Sequence, residues 1–520
     1  MIFKTSCVFN GGHHQGIGNL GSMSPLLIIL CICLYFGGLL LIAYITSRNS
    51  TADSYFLGNK ASPWYAVAFG MIGDSLSGVT YISVPGKIGS SHFSYLQLVL
   101  GYFVGYFIIS KILLPIYYKM NVISIYSYLE ARFGRHTQKT GAFFFILSRI
   151  LGASGRLFLA VGVIQFFVFD RITAVHIPFW LTVSIILALM LLYTYKGGIK
   201  TLVWTDTFQS LFLVLGVVIS IVVIIDKMDI GVGQAVSNIV SSEYSDTFFW
   251  DWHKSSFFFK EFIGGIFIAV AMTGLDQNMM QKNLSCRSLG EAQKNIFWFS
   301  IVMVIVTVFF LALGALLFQY YDASGIPLPL NSETGKVITD KVFPNLALNH
   351  LGIFAGLIFI IGLTAATFSS ADSVLTTLTT STYVDLLEYD KSSKLDEKQK
   401  SQRRTLIHIG FAILMWLVII VFDLLNQRAI IDTILMLAGY TYGPLLALFT
   451  LGLFTRINLN DRMVPVVCIL APVATYLLAN YVIAPYTSYQ VGNELIVINA
   501  LVTALGLLIV RQVAQKPINA

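Results

Sequence analysis

Residues 70–80 read Gly70-Met71-Ile72-Gly73-Asp74-Ser75-Leu76-Ser77-Gly78-Val79-Thr80 and interrupt an apolar run that extends from 63 to 84. Three glycines, an aspartate and three hydroxyls in the middle of such a run weaken the helix where hydrocarbon offers its backbone no alternative partner. A break there is tolerated against a protein-lined cavity, and unwound carbonyls in such a cavity can coordinate a cation. The same residues also suit a close glycine-mediated helix contact, with Asp74 hydrogen-bonded to a neighbouring helix.

The composition explains why an interrupted helix matters. The chain is 56% apolar and 14% aromatic but only 11% charged, against roughly 25% charged residues in soluble domains. At roughly 20 residues per crossing, hydropathy divides it into about 13 spans: 24–46, 63–84, 93–117, 138–169, 175–195, 199–225, 259–281, 294–320, 350–385, 405–425, 430–454, 463–484 and 493–510. The expected fold class is therefore an all-α polytopic membrane protein. Residues 1–22 form a polar, glycine-rich tail with neither the basic start nor the cleavage site of a signal peptide, and Met23 reads as an alternative start.

The net charge of +7 reflects topology, with no nucleic-acid partner implied, because the basic residues sit in short loops. One set of alternate loops carries Lys119, Arg132, Arg135, Lys282, Arg287, Arg403 and Arg404; the other is poorer, with Lys87, Lys227, Lys254 and Lys336 among its members. This asymmetry places the N-terminus outside and the C-terminus in the cytoplasm, in a plasma (inner) membrane. The segment 123–133 is amphipathic and is expected along the cytoplasmic interface. Cys7, Cys31, Cys33, Cys286 and Cys468 are scattered and suggest neither disulfides nor a metal site.

Three further polar clusters interrupt apolar spans. In Ala365-Ala366-Thr367-Phe368-Ser369-Ser370-Ala371-Asp372-Ser373, helical spacing sets Ala366, Ser369, Ser370 and Ser373 on one face. Neutral hard oxygens in that array suit Na⁺, although serines also join membrane helices without binding anything. Trp204-Thr205-Asp206 places a carboxylate that is an ion ligand, a cytoplasmic gate, or an interfacial partner of Lys196 or Lys200. Gly264-Gly265 and Thr273-Gly274-Leu275-Asp276-Gln277 form a second interrupted span, and two broken helices heading two five-helix blocks are the pattern of an inverted-repeat transporter. HExxH, Gly-x-Ser-x-Gly and phosphate-loop motifs are absent from the sequence, so no enzyme is expected. No large cytoplasmic signalling domain or repeated pore loop points to a sensor or a channel.

These stretches, together with Tyr195-Lys196-Gly197-Gly198-Ile199-Lys200, Gln209, Gln281, Glu291-Ala292-Gln293-Lys294 and Ala438-Gly439-Tyr440-Thr441-Tyr442-Gly443-Pro444, resemble the sodium/solute symporter family of sodium-coupled sugar, proline, sialic acid, iodide and monocarboxylate carriers. The resemblance runs from about Pro25 to Val510. It implies one transporter domain over 23–520: an extra helix (24–46), a LeuT-type five-plus-five inverted repeat (63–225 and 259–454) and trailing helices (463–510). It implies Na⁺ as the coupling ion, held by Gly73, Leu76 and Ala366 carbonyls with the Ser369 and Ser370 hydroxyls. A second Na⁺ site would use Asp206, Ser369, Asp372 and Ser373; Asp372 departs from the hydroxyl or small residue common there and stands as a Na⁺ ligand or a proton site.

Ser77, Thr80, Gln97 and Arg156 are the candidate solute contacts. Arg156 resembles the arginine with which sialic acid carriers clamp a carboxylate, and its planar fork pairs bidentately with one. Internal pairing with Asp74, Asp276 or Asp372 is the alternative, and Arg149, seven residues earlier, could serve instead. The implied function is sodium-coupled import of a small carboxylate such as sialic acid, another acidic sugar or a monocarboxylate; the alternative is a sodium- or proton-coupled carrier of a neutral polyol, sugar or amino acid. The partners expected are the solute and the lipid bilayer, with no obligatory protein partner.

Overall fold

The computed structural model describes residues 25–511 except 49–51, 168, 172–176, 332–333, 392–395, 426–429, 488 and 490. The predicted tail at 1–22 lies outside the described residues, as do the side chains of Tyr195 and Lys196. All regular elements among the described residues are helices. The principal ones are α1 (Pro25–Ser47), α2 (Trp64–Ser75), α3 (Gly78–Ser91), α4 (Tyr95–Ile108), α5 (Arg135–Phe167), α6 (Phe179–Lys227) and α7 (Phe258–Ala269). They continue with α8 (Gln277–Leu284), α9 (Leu289–Ser324), α10 (Ile353–Ser381), α11 (Glu397–Leu425), α12 (Ile430–Phe454), α13 (Val464–Leu477) and α14 (Leu495–Ile509).

Among the described residues nine helices are long and apolar enough to cross a membrane, ten with the bent pair Phe258–Gly274 and Gln277–Leu284 taken as one span; Phe179–Thr194 and Leu495–Ile509 are shorter apolar helices. Length alone thus returns fewer crossings than the thirteen expected, because the helices at the expected spans 175–195 and 493–510 are short and the span at 63–84 is broken. The expected span 63–84 is two half-helices, α2 and α3, separated at Leu76 (φ −95°, ψ 77°) and Ser77 (φ −71°, ψ 173°). Spans 175–195 and 199–225 are two helices, Phe179–Thr194 and Gly198–Lys227, within α6, which kinks at Gly198 (φ 54°, ψ −154°), a conformation that a residue without Cβ adopts at low cost.

The second interruption bends the chain by 63° between α7 and α8. Its outgoing half, α8, is buried at every residue from Gln277 to Leu284 and packs on α2 and α10. Helix α6 packs along α10 and α2, so four elements converge on one interior point. One face of the segment at 123–133 packs on the protein. Ile125, Tyr126 and Leu129 are buried, the Tyr126 hydroxyl donates to the Leu275 carbonyl at 3.0 Å, and Gln277 bridges Ile125 N–H (3.0 Å) and the Ile123 carbonyl (2.9 Å). Its apolar face docks on the break before α8 because the backbone groups freed there need partners.

Candidate functional site: an intramembrane ion cage beneath an open cavity

Where α2 ends, its last-turn carbonyls lose their helical donors. Gly73 brings this backbone against α10: a Cβ built on it would lie 2.6 Å from Ser369 Oγ and 2.8 Å from Ser210 Oγ, so a side chain there would require the neighbours to move. Gly73 N–H donates to Ser210 Oγ at 2.9 Å. Ala366, Ser369 and Ser370 are buried on α10, with Ser370 Oγ donating to the Thr367 carbonyl at 3.0 Å. The backbone of α2 and the hydroxyl face of α10 therefore meet, as the primary Na⁺ assignment requires, and hard neutral oxygens of this kind fit a monovalent cation.

Two of the residues expected at the second ion site, Asp206 and Ser373, converge instead on Lys282, a residue that loop charge counts to the cytoplasmic side. Lys282 is 1% exposed. Its ammonium donates to Asp74 Oδ2, to Asp206 Oδ2 at 2.5 Å and to Ser373 Oγ at 2.9 Å. Ser373 Oγ in turn approaches Asp206 Oδ2 at 3.2 Å, and Ser369 Oγ approaches Asp206 Oδ1 at 3.4 Å. Asp206 thus pairs with Lys282, and the proposed partnership with Lys196 or Lys200 is replaced. Asp372 turns elsewhere: Tyr193 donates to its Oδ2 at 2.8 Å and its Oδ1 accepts from Ser373 N–H at 2.5 Å.

Sequence reasoning missed Lys282 because α8 carries Gln277, Asn278, Gln281 and Asn283 as well, and such polarity reads as a loop. The signal available was electrostatic: two intramembrane carboxylates, Asp74 and Asp206, demand a counter-cation.

Above the cage lies a cavity of about 90 Å³ lined by Asp74, Ser77, Thr80, Arg149, Arg156 and Thr273 among others. It shares Tyr95, Ile268 and Met272 with a vestibule of about 830 Å³ that reaches Lys87 near the end of α3, His92, Ser255 and Asn493, at helix ends and loops that the charge asymmetry assigns to the outer side. Ser77, Thr80 and Arg156 are therefore brought together, whereas Gln97 is not. It is fully buried, and its amide donates to the Ser94 and Ser256 carbonyls (3.3 and 3.0 Å) and accepts from Phe249 N–H at 3.2 Å. Those bonds pin the loop over 246–257 and remove Gln97 from the solute contacts.

The two arginines on α5 separate in the same way. Arg149 Nε donates to Asp276 Oδ2 at 2.6 Å and its Nη2 to the Met272 carbonyl at 3.2 Å, while Tyr442 donates to the same Asp276 oxygen at 2.5 Å. Arg156 makes no ion pair among the described residues. Each acid that could have paired with it is taken: Asp74 by Lys282, Asp276 by Arg149 and Asp372 by Tyr193.

Known proteins are similar to this chain. The sodium/sialic acid symporter SiaT of Proteus mirabilis (strain HI4320) is 27% identical over 451 residues, covering 83% of this chain and 86% of its own length. The human sodium-coupled monocarboxylate transporter 1 is 25% identical over 428 residues, covering 79% of this chain and 66% of its own. The substrate-bound outward-open structure of a Na⁺-coupled sialic acid symporter has the same fold, with a TM-score of 0.78 at 24% identity over 93% of this chain and 97% of that one. The model of the sodium:solute symporter family matches residues 55–464, most of the chain and both broken helices, and this multi-pass membrane protein belongs to that family.

Proposed function

We propose that the chain is a Na⁺-coupled importer of a small carboxylated solute, working by alternating access. The observation that carries this reading is Arg156, a guanidinium on a cavity wall with no acidic partner among the described residues. A charge inside the membrane is costly unless paired, so a guanidinium left open toward a cavity calls for an anion supplied from outside. Its planar donors match a carboxylate, and Ser77 and Thr80 supply neutral hydrogen-bond groups beside it. The sialic acid and monocarboxylate carriers among its relatives transport solutes of this chemistry.

In the cycle, Na⁺ binds between the end of α2 and the hydroxyls of α10, favouring the conformation in which the vestibule is open to the outside. Solute binds above it. Inward opening then requires the hydrogen bonds that seat residues 123–126 on the start of α8 to break, with the bundle rocking about the site. Na⁺ tightens solute binding, and by linkage the solute tightens Na⁺ binding equally. The N-terminus lies outside and the C-terminus in the cytoplasm, and no catalysis is involved.

The test is thermal unfolding of purified protein with sialic acids, monocarboxylates, polyols and amino acids, each in Na⁺ and in K⁺ buffer. A stabilisation by a carboxylated solute that requires Na⁺ is expected. Stabilisation only by a neutral solute, or equal shifts in K⁺, overturns the reading.

A further inference from the structure

The residues at the second ion position do not leave room for a second Na⁺, and we propose that Lys282 is its covalent substitute: a tethered cation that fixes the binding capacity at one Na⁺ per protein. This rests on the Na⁺-coupled reading above. An ammonium has three N–H donors and no acceptor. All three are used, on Asp74 Oδ2, Asp206 Oδ2 and Ser373 Oγ. These acceptors include two of the four residues that the family resemblance assigns to the second ion, Asp206 and Ser373. A third, Ser369, already leans on Asp206 at 3.4 Å, and the fourth, Asp372, is held by Tyr193.

The tether is held from behind. Lys282 lies in the fully buried α8. Gln281 donates to the Phe56 carbonyl at 2.7 Å and to Thr380 Oγ1 at 3.2 Å, and Asn283 accepts from Asn295 at 2.7 Å, so the backbone on both sides is anchored. Withdrawing the ammonium would leave two buried carboxylates facing each other without a counter-charge, which low-dielectric surroundings penalise heavily.

Local charge then argues for one mobile cation. Counting only the groups in direct contact with the ammonium, Asp74 and Asp206 with Lys282 carry one net negative charge, with Asp372 held apart by Tyr193, and Asp74 Oδ1 is buried with no hydrogen-bond partner among the described residues. The Gly73 backbone and Ser369 adjoin this cluster, so a single Na⁺ at the primary site neutralises it. For a solute carrying one negative charge, the transported complex is then electroneutral.

The experiment is equilibrium binding of ²²Na⁺ to the purified full-length chain in detergent, without solute, in the wild type and in Lys282→Met and Lys282→Arg. One Na⁺ per wild-type protein with a Hill coefficient of about 1 is expected, rising in Lys282→Met to about two bound ions and a Hill coefficient approaching 2 as the vacated carboxylates take a second ion. Lys282→Arg should stay at one. Two Na⁺ bound by the wild type overturn the tether while leaving Na⁺ coupling standing, and this arm needs no variant to fold. No saturable ²²Na⁺ binding by the wild type overturns the coupling reading and the tether with it. A folded Lys282→Met still binding one Na⁺ overturns the tether alone.

Discussion

Arg149 and Arg156 stand two helical turns apart on α5, both line the same cavity, and they do opposite things. Arg149 is closed into an ion pair with Asp276 that Tyr442 reinforces, at the point where the second broken helix changes direction. Arg156 has no such acid among the described residues. A buried charge inside a membrane is either part of the scaffold or waiting for a ligand, and the presence of a fixed counter-charge decides which. Lys282, paired with two carboxylates, falls with Arg149 on the closed side of that division.

The sharpest way to break the comparison is to truncate both arginines. Arg149→Ala strands Asp276 without its cation and should cost about 3–5 kcal/mol of stability, the usual penalty for removing one partner of a buried pair. Thermal unfolding in detergent would register it as a large fall in Tm, or as loss of folded protein. Arg156→Ala strands no acid and should leave the Tm nearly unchanged. Equal destabilisation by the two substitutions would make Arg156 structural.

Binding should show the reverse order. Arg156→Ala is expected to weaken a carboxylated solute by about 1.5–3 kcal/mol, roughly 10- to 150-fold, as loss of a charge-assisted hydrogen-bond pair does. Titration with the solute and with its amide checks this, because the neutral amide should lose far less. A smaller effect is expected at the ion site: Ser369→Ala or Ser370→Ala should raise the Na⁺ half-saturation by roughly tenfold, about the worth of one ligand hydroxyl, with the fold intact. Unchanged Na⁺ dependence in both variants would remove the α10 hydroxyls from the site.

The smallest effect lies at an exposed pair. Arg135 donates to Glu388 at 2.7 and 2.8 Å and, with Lys139 nearby, holds that carboxyl below its ordinary value of 4.5. A depressed folded-state value means that the pair's contribution is complete above the ordinary value and is lost as pH falls through the depressed one. Because the pair is solvated, Glu388→Gln should cost less than about 1 kcal/mol at neutral pH. The Tm difference between variant and wild type should vanish under acid, and a difference that grows there would contradict the assignment.

Much of the fold was legible before any coordinate. Apolar runs marked most of the helices, and glycines and hydroxyls in the middle of runs marked both interruptions, because hydrocarbon makes a broken helix conspicuous. The hydroxyl face of α10 followed from helical spacing alone. What failed were assignments that depend on what lies opposite. Lys282 read as a loop cation because its own helix is polar, whereas its acceptors come from α2, α6 and α10, remote in sequence. Gln97 read as a solute contact because it is polar within an apolar run, yet its partners lie in a loop more than 150 residues later. The amphipathic pattern at 123–133 marks a buried face, but that this face docks on the break before α8 depends on residues some 150 positions later.

The sequence by itself determined that this chain crosses a membrane many times, that two of its helices are interrupted, and which residue types could hold a cation or a carboxylate. Hydropathy and helical periodicity are local properties, and the bilayer enforces them residue by residue. Only the tertiary structure decided which buried charges pair with one another. Four acids, Asp74, Asp206, Asp276 and Asp372, and three cations can be matched in several ways that hydropathy does not distinguish. The packing of α8 between α2 and α10 selected one of them, giving Lys282 to Asp74 and Asp206 and leaving Arg156 without an acid.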